Sequence, residues 1–420
     1  MNVSYSRFFG ACVLACAGLS ASAIDMNKPT GIKIGQRMTL MPYVALSAMY
    51  DSNVGARRNG GGDEDVVWTV NPSLTLDYHA ENWAVQANAY YNYRDYSKSH
   101  SSMSETDQHS FGQTLRFNWA NSAGSDPGWT LLVTETFRQV VQADDLNNGY
   151  YGYNNNSRQL QFGAALQHRF CENWHASLNG SYYWLDYDGG SGVSLYGWQR
   201  WVAGAELGYA ASRWTDLVLA ANYQGYSQDN AHGSSTYLGR AISRDSQGFT
   251  VQGGIGTHAT ERISYRVLAG WSRFEYGDGA MSNDGFTYTV SGNWKITDTF
   301  STMLLGSSYY QPSEREYGTA SRVDAVSWGF AKSFIRGKLT STLDLTYRHE
   351  TQEHVYRGGS DYDIDLITGR LGLNYVLNRY MSIFTYAEYI KSMNDGGSSQ
   401  MHGLYDYDRW RLSLGLKFTY

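Results

Sequence analysis

The last stretch of the chain alternates between apolar and polar residues without a break. From Trp410 to Tyr420, the even positions carry Trp, Leu, Leu, Leu, Phe and Tyr, and the odd positions carry Arg, Ser, Gly, Lys and Thr. A period of two predicts a β-strand. Aromatic residues at both ends of the apolar face, with leucines between them, are typical of a strand of roughly 9–11 residues that crosses a bilayer. The alternative is an edge strand of a soluble β-domain.

Segments of the same kind recur along the chain and are joined in pairs by short polar turns that end in an aromatic residue. The turns that share this plan are Ala80–Trp83, Cys171–Trp174, Ala211–Trp214, Thr297–Phe300 and Leu377–Tyr380. An aromatic residue at the point where a strand meets lipid keeps its ring half buried and its polar edge in water. Short turns face the periplasm in outer-membrane barrels, so we place these turns there.

The opposite strand ends carry a second aromatic set, followed by longer loops rich in Gly, Asn, Asp and Ser. We predict that this set forms the outer girdle of a barrel: Tyr90, Tyr91, Tyr93, Tyr96, Tyr182, Tyr183, Trp184, Tyr187, Tyr223, Tyr226, Trp271, Phe274, Tyr276, Tyr309, Tyr310, Tyr386 and Tyr389. The alternation breaks around Glu135 and between Ile364 and Arg370, where we expect a bulge or a slipped face.

Eight turns and nine loops give eighteen strands, with sixteen as the main alternative. An even number of strands puts both chain ends in the periplasm. The predicted fold class is therefore all-β. It is a transmembrane antiparallel up-and-down β-barrel of about 18 strands over residues 39–420.

Residues 1–23 have the pattern of a secretory signal peptide. Arg7 supplies a positive charge, an apolar run extends to Leu19, and Ala21-Ser22-Ala23 forms a small-residue cleavage site. A lipoprotein signal that ends at Cys16 is the alternative. Residues 24–38 are polar without a clear period, and we predict a periplasmic lead-in. The mature chain keeps only Cys171, which excludes an internal disulfide and a Cys-based metal site.

The composition favours one large barrel over two or three soluble domains. Aromatic residues make up 15% of the chain and tyrosine alone contributes 35, which suits aromatic girdles. Mean hydropathy is negative. This argues against a helical membrane protein but not against a barrel, in which lipid-facing and lumen-facing residues alternate. The net charge is −6, so the chain does not have the excess of basic residues that is typical of a nucleic-acid-binding protein.

Three segments near the start of the predicted barrel resemble a known family. They are Tyr50-Asp51-Ser52-Asn53-Val54, Trp68-Thr69-Val70-Asn71-Pro72-Ser73-Leu74-Thr75-Leu76 and the tyrosine-rich run from Tyr90 to Tyr96. The chain resembles the putative beta-barrel porin-2 family of Gram-negative outer membranes, although Gly55 stands where members often have a bulky apolar residue. The resemblance implies a pore. Because some members are encoded with exopolysaccharide export machinery, it also implies polysaccharide as a candidate cargo. It supplies no catalytic residue.

If the apolar face of each strand meets lipid, the polar face lines the lumen. The candidate pore-lining residues are Arg116, Arg138, Arg200, Glu206, Arg266, Lys295, Arg411 and Lys417. Most of them are basic although the chain is acidic overall, so a cationic lumen under acidic loops would bias passage towards anions. The alternative is that these charges only solvate the interior and pair with one another, as Arg200 could do with an acidic neighbour such as Glu206.

One predicted outer loop, residues 144–156, mixes acids, amides and tyrosines. Aromatic faces stack on sugar rings, and carboxylates and amides bond hydroxyl groups. The candidate glycan-contacting residues are Asp144, Asp145, Tyr150, Tyr151 and Tyr153. The same oxygens suit Ca²⁺, but no stretch matches the twelve-residue calcium loop. The alternative is a solvated hairpin loop.

We expect no enzymatic activity, no cofactor and no metal site. No histidine has a spacing that singles out a serine partner, and no His, Asp or Glu cluster has metal-ligand spacing. The run Gly253-Gly254-Ile255-Gly256 is not a phosphate-binding loop, because it lies inside a strand pattern, where small residues permit curvature.

The pattern as a whole predicts an outer-membrane porin with a water-filled, weakly selective diffusion channel. The alternatives are a structural or adhesive barrel that binds surface glycan, and a partner channel for polysaccharide export. Expected partners are outer-membrane lipid, small solutes or saccharides, and the barrel-assembly machinery. The last would recognise Tyr420, because a terminal aromatic resembles the C-terminal signal of outer-membrane barrels. A homotrimer and a monomer are both open, and no nucleic acid is expected.

Overall fold

The computed structural model describes most of the chain after residue 30. The described residues are 31–54, 64–98, 107–121, 128–141, 156–188, 197–228, 236–237, 240–241, 245–257, 262–276, 281–312, 319–354, 362–396 and 406–420. Within these ranges, no helix is long and apolar enough to cross a membrane.

Eighteen long strands form a closed antiparallel ring. They are β2 (Met38–Asp51), β3 (Asp65–His79), β4 (Trp83–Tyr96), β5 (Asp107–Ala120), β6 (Gly128–Val141), β7 (Asn156–Arg169), β8 (Trp174–Asp188), β9 (Trp198–Ala210), β10 (Asp216–Gln228), β13 (Ser246–Gly256), β14 (Ile263–Tyr276), β15 (Met281–Thr297), β16 (Phe300–Pro312), β17 (Thr319–Phe334), β18 (Leu339–His354), β19 (Tyr362–Asn378), β20 (Met381–Gly396) and β21 (Tyr407–Thr419). Each pairs with the next long strand, and β2 pairs with β21 to close the ring. The ring confirms the predicted up-and-down barrel and its eighteen strands.

Three short strands lie outside this plan. β1 (Ile32–Ile34) pairs with the start of β2, and β11 (Thr236–Tyr237) pairs with β12 (Arg240–Ala241) as a separate hairpin. β1 falls within the predicted lead-in, so part of that segment adds a short strand to the barrel. The predicted signal peptide, residues 1–23, lies outside the described residues, and the domain boundaries stay predictions.

Exposure alternates along the strands with a period of two. In β21, Leu412 and Leu414 are 53% and 61% exposed, whereas Arg411 and Ser413 are 6% and 3% exposed. Because the outer surface of a membrane barrel meets lipid, the exposed apolar residues form the lipid-facing side and the buried polar residues form the inner wall. Directly paired residues on neighbouring strands share a face, so the assignment extends around the ring.

The lipid-facing side carries two levels of aromatic residues, eight residues apart on one strand. The pairs are Trp83 with Tyr91, Trp119 with Phe111, Trp129 with Phe137, Trp174 with Tyr182, Tyr209 with Trp201, Trp294 with Phe286, and Phe418 with Trp410. The first of each pair lies near a short turn and the second near a loop, and we call these the inner and outer aromatic levels. Eight tilted residues rise about 20 Å, close to the roughly 25 Å apolar band of outer-membrane barrels.

Strand pairing is continuous at both places where the sequence predicts an irregularity, so those two expectations are wrong. Glu135 stays paired with Leu115 and keeps its place on the lipid-facing side, where Gln113 Nε2 donates to its carboxylate at 3.1 Å. Ile364 and Leu366 face inward at the loop end of β19 and are 6% and 5% exposed. The alternation breaks because a polar residue, Glu135, occupies the lipid-facing side and two apolar residues, Ile364 and Leu366, occupy the inner side. The strand register does not shift at either place.

Candidate functional site

The candidate functional site is the inner wall of the barrel, and strand alternation places all eight predicted pore-lining residues on it. They are Arg116 on β5, Arg138 on β6, Arg200 and Glu206 on β9, Arg266 on β14, Lys295 on β15, and Arg411 and Lys417 on β21. The structure therefore brings them to one surface but distributes them around it. Their role in conduction stays a prediction.

Glu206 and Arg266 form an ion pair across the inner wall. Arg266 Nη1 donates to Glu206 Oε1 at 2.9 Å, and Arg266 Nη2 donates to Glu206 Oε2. Two parallel bonds of this kind are stronger than neutral hydrogen bonds and fix the geometry of both groups. Arg200, which the sequence suggested as a neighbour for an acid such as Glu206, is six residues away on the same strand. About 20 Å then separates their backbones, too far for a pair.

Neutral partners orient other basic groups of the inner wall. Arg200 Nη2 donates to Gln224 Oε1 at 2.9 Å, and its guanidinium lies 5.2 Å from the centre of the Tyr226 ring. Lys417 Nζ lies 4.3 Å from the centre of the Tyr43 ring. An amide or an aromatic ring orients a cation without cancelling its charge.

A buried charge network closes the barrel between its first and last long strands. Asp51 on β2 accepts hydrogen bonds from Arg409 Nε at 2.9 Å and from Arg411 Nε at 3.2 Å. Arg411 Nη1 in turn donates to Glu388 Oε2 at 3.3 Å. The four side chains are between 1% and 7% exposed. Arg411 thus faces inward and also links β21 to β2 through its bond to Asp51.

Sequence reasoning missed most of this network. Asp51 entered only as part of a family-like motif, and neither Arg409 nor Glu388 was a candidate. The alternation of β21 did contain a signal, because Arg409 lies two residues before Arg411 and therefore on the same face. Its partner is 358 residues away in the chain, a separation over which periodicity carries no pairing information.

The tyrosine-rich strand ends do not all belong to an outer girdle, and that part of the prediction is wrong. Tyr91, Tyr182 and Tyr223 lie on the lipid-facing side, but odd spacings turn their neighbours inward. One buried cluster consists of Leu185, Trp198, Tyr226, Phe274 and Tyr310, with Tyr183 packed against it. A second consists of Met49, Val54, Val67 and Tyr96, with Tyr386 packed against it. The inner wall near the loops is therefore aromatic as well as charged.

The predicted glycan-contacting residues cannot be placed in this frame. Asp144, Asp145, Tyr150, Tyr151 and Tyr153 lie outside the described residues. Within the described ranges, no group of three or more His, Cys, Asp or Glu side chains is arranged to hold a metal ion.

Two family models match separate parts of the chain. Residues 39–190 match a family described as "Putative MetA-pathway of phenol degradation". Residues 236–420 match the family described as "Putative beta-barrel porin 2". This part of the chain is thus similar to the beta-barrel porin 2 family. The family is the one that the sequence resembles, but the three motifs that carry the resemblance lie in the part matched by the other model.

The porin 2 match and the closed ring together locate the protein. It is a porin-like barrel of the bacterial outer membrane. The lipid-facing aromatic levels described above are the surface that this location requires. No curated protein sequence is significantly similar to the chain.

Three solved outer-membrane proteins have similar folds but little sequence identity to the chain. OccAB2 of Acinetobacter baumannii is 10% identical over 91% of this chain and 98% of its own, with a TM-score of 0.45. The outer membrane protein OpdK of Pseudomonas aeruginosa is 10% identical over 91% of this chain and 99% of its own, with a TM-score of 0.42. A mutant ferric enterobactin receptor, PfeA, of Pseudomonas aeruginosa is 8% identical over 91% and 80%, with a TM-score of 0.43. At this level the likeness carries no argument about function.

Proposed function

We propose that the protein is a porin whose water-filled lumen lets small hydrophilic solutes diffuse across the outer membrane with weak selectivity. The observation that carries this proposal is the polar inner wall of an eighteen-stranded closed ring. Barrels of 16–18 strands are wide enough to leave an aqueous channel. Polar groups such as Ser413 and Gln224, which lipid would penalise, suit a wall that faces water.

The proposed selectivity favours anions. By alternation, the basic residues on the inner side of the eighteen long strands are Arg94, Arg116, Arg138, Arg169, Arg200, Arg266, Lys295, Arg348, Arg370, Arg409, Arg411 and Lys417. The acidic residues on the same side are fewer: Asp51, Asp65, Asp77, Glu206, Asp216, Asp344, Glu350 and Glu388. Several pairs neutralise each other, as Glu206 and Arg266 do. The surplus is modest, so the bias is expected to be weak.

The proposed partners follow from the same surfaces. Outer-membrane lipid contacts the two aromatic levels, and small solutes or saccharides contact the inner wall. We also propose that the barrel-assembly machinery recognises Tyr420, which is 61% exposed just beyond the end of β21. Glycan adhesion depends on loop residues outside the described part of the chain and stays a prediction, as does a role as a partner channel for polysaccharide export.

Swelling of proteoliposomes in isosmotic sugars tests the proposal. We expect entry of monosaccharides and slower entry as the sugar grows to a tri- or tetrasaccharide, because a lumen narrowed by inward aromatic residues sieves by size. Liposomes without protein are the control, and heat-modifiable migration on gels verifies that the reconstituted barrel is folded. A folded barrel that admits no sugar of any size would contradict a diffusion channel.

A further inference from the structure

One carboxylate lies on the lipid-facing side inside the apolar band. Glu135 on β6 is six residues from Trp129 of the inner aromatic level and two from Phe137 of the outer level. The other acidic residues that face lipid from the long strands and have described side chains lie at or beyond the outer level: Asp95, Asp186, Glu275, Asp284, Asp324, Asp363, Asp365 and Asp408. Glu135 thus stands apart from every other outward carboxylate in the described strands.

A carboxylate in this position is unfavourable while it faces hydrocarbon. Charged substitutions on the lipid face of a barrel destabilise it in a depth-dependent way, and ionisable groups in a membrane usually pair or face protein. Gln113 on β5 lies beside Glu135 on the same outward face, and its Nε2 donates to Glu135 Oε1 at 3.1 Å. Two polar side chains therefore lie next to each other within the apolar band.

The pair has the capacity for a second set of hydrogen bonds. Gln113 carries two N–H donors and Glu135 carries two carboxylate oxygens, while the bond between them uses one of each. Apolar rings frame the pair. Phe111 and Phe137 lie 5.6 Å apart, and Phe162 on the next strand is 43% exposed. Inside a membrane, a polar centre with an apolar rim suits a protein partner better than lipid chains, because polar side chains there usually bond to other protein groups.

We propose that this surface, made of Gln113, Glu135, Phe111, Phe137 and Phe162, is the contact between two copies of the chain. The copies are related by a twofold axis along the membrane normal. Because Gln113 and Glu135 lie side by side on adjacent strands, such an axis brings Gln113 of each copy to Glu135 of the other. The same bond is then made twice, as a self-complementary interface requires. The dimer removes both carboxylates from lipid. This inference is separate from the proposed channel function and goes beyond it.

Native mass spectrometry of the full mature chain, released from detergent and from lipid nanodiscs, tests the dimer. We expect a dimer for the wild type. Glu135→Leu and Gln113→Leu should each raise the dissociation constant roughly tenfold or more, since each removes both reciprocal bonds. Glu135→Gln should keep the dimer, because the amide still accepts a hydrogen bond. Leucine suits a lipid-facing position, so both leucine variants should fold.

Thr302→Val is the matched control. Thr302 lies on the lipid-facing side of β16, far around the ring, and its Oγ1 donates to Gly329 O of its own barrel at 3.0 Å. Its loss should leave the dimer unchanged. A wild type that is monomeric or trimeric would overturn the proposal, as would leucine variants that dimerise like the wild type. If Glu135→Leu shows no heat-modifiable folded form, the Gln113→Leu result decides by the same criterion.

Discussion

At the scale of single residues, the two ends of the barrel are joined by charges that lie almost completely out of water. Asp51 is 1% exposed and receives bonds from Arg409 and Arg411. Burying such groups has a high desolvation cost, which is offset only when each charge is paired and hydrogen-bonded. Here two acids meet two arginines, since Glu388 completes the set. The four side chains together link β2 to β21 and β20 beside the backbone pairing that closes the ring.

Replacing Asp51 with asparagine should destabilise the barrel markedly. The substitution keeps the shape but leaves Arg409 buried without its counter-charge, and breaking a buried pair typically costs about 3–5 kcal/mol. The temperature at which the folded band disappears in a heat-modifiability series measures the effect. Arg273→Gln is the control, because its pair with Glu275 is 51% and 29% exposed, and exposed pairs contribute about 0–1 kcal/mol. Equal midpoints for the two variants would contradict the network's role.

The face of the strand on which a side chain lies could be predicted from the sequence, whereas the residue that it contacts could not. Alternation alone placed Glu206 and Arg266 on the same inner wall, but their contact spans 60 residues of chain. It depends on how β9 and β14 are positioned around the ring. The tyrosine runs failed for a different reason, because they were assigned by composition without regard to parity. Tyr182 and Tyr183 are consecutive and so must face opposite sides.

At the scale of elements, the strands of one sector approach unusually closely. A Cβ added to Gly254 on β13 would lie 2.0 Å from Val267 O, and one added to Gly270 on β14 would lie 1.9 Å from Val251 O. Both glycines are on the inner side of adjacent strands. Real Cβ atoms do not approach backbone oxygens to such distances, so these strands pair only because the positions lack side chains. The sequence showed the glycine run but not its contacts.

Gly254→Ala should therefore impair folding of the barrel. The new methyl group meets backbone atoms that cannot rotate away, and overpacking of this kind costs roughly 1–3 kcal/mol or more. The folded fraction after refolding into detergent micelles measures the effect. Gly292→Ala is the matched control, because nothing lies within 4 Å of its added Cβ. If both variants refold to the same extent as the wild type, the close approach is not a constraint on the fold.

At the scale of the whole molecule, the architecture was the most predictable feature. Alternation and turn chemistry predict a ring of eighteen strands, with sixteen as the alternative, and the structure has eighteen. The two expected register shifts were wrong, because a single polar residue such as Glu135 disturbs a pattern without disturbing the backbone. The side-chain contacts on the inner wall were less predictable. Inward aromatic clusters and buried ion pairs depend on the curvature of the barrel, and the alternation of residues along a strand carries no information about that curvature.

Our main proposal is that this ring encloses an open, weakly anion-favouring channel. Its most direct test is single-channel recording of the refolded mature chain in a planar bilayer with a tenfold potassium chloride gradient. We expect stable open steps and a reversal potential displaced towards the chloride equilibrium potential. Folded, inserted barrels without conductance steps would contradict the channel itself. Open steps with a reversal potential displaced towards potassium would contradict the inner-wall charge surplus and leave the channel intact.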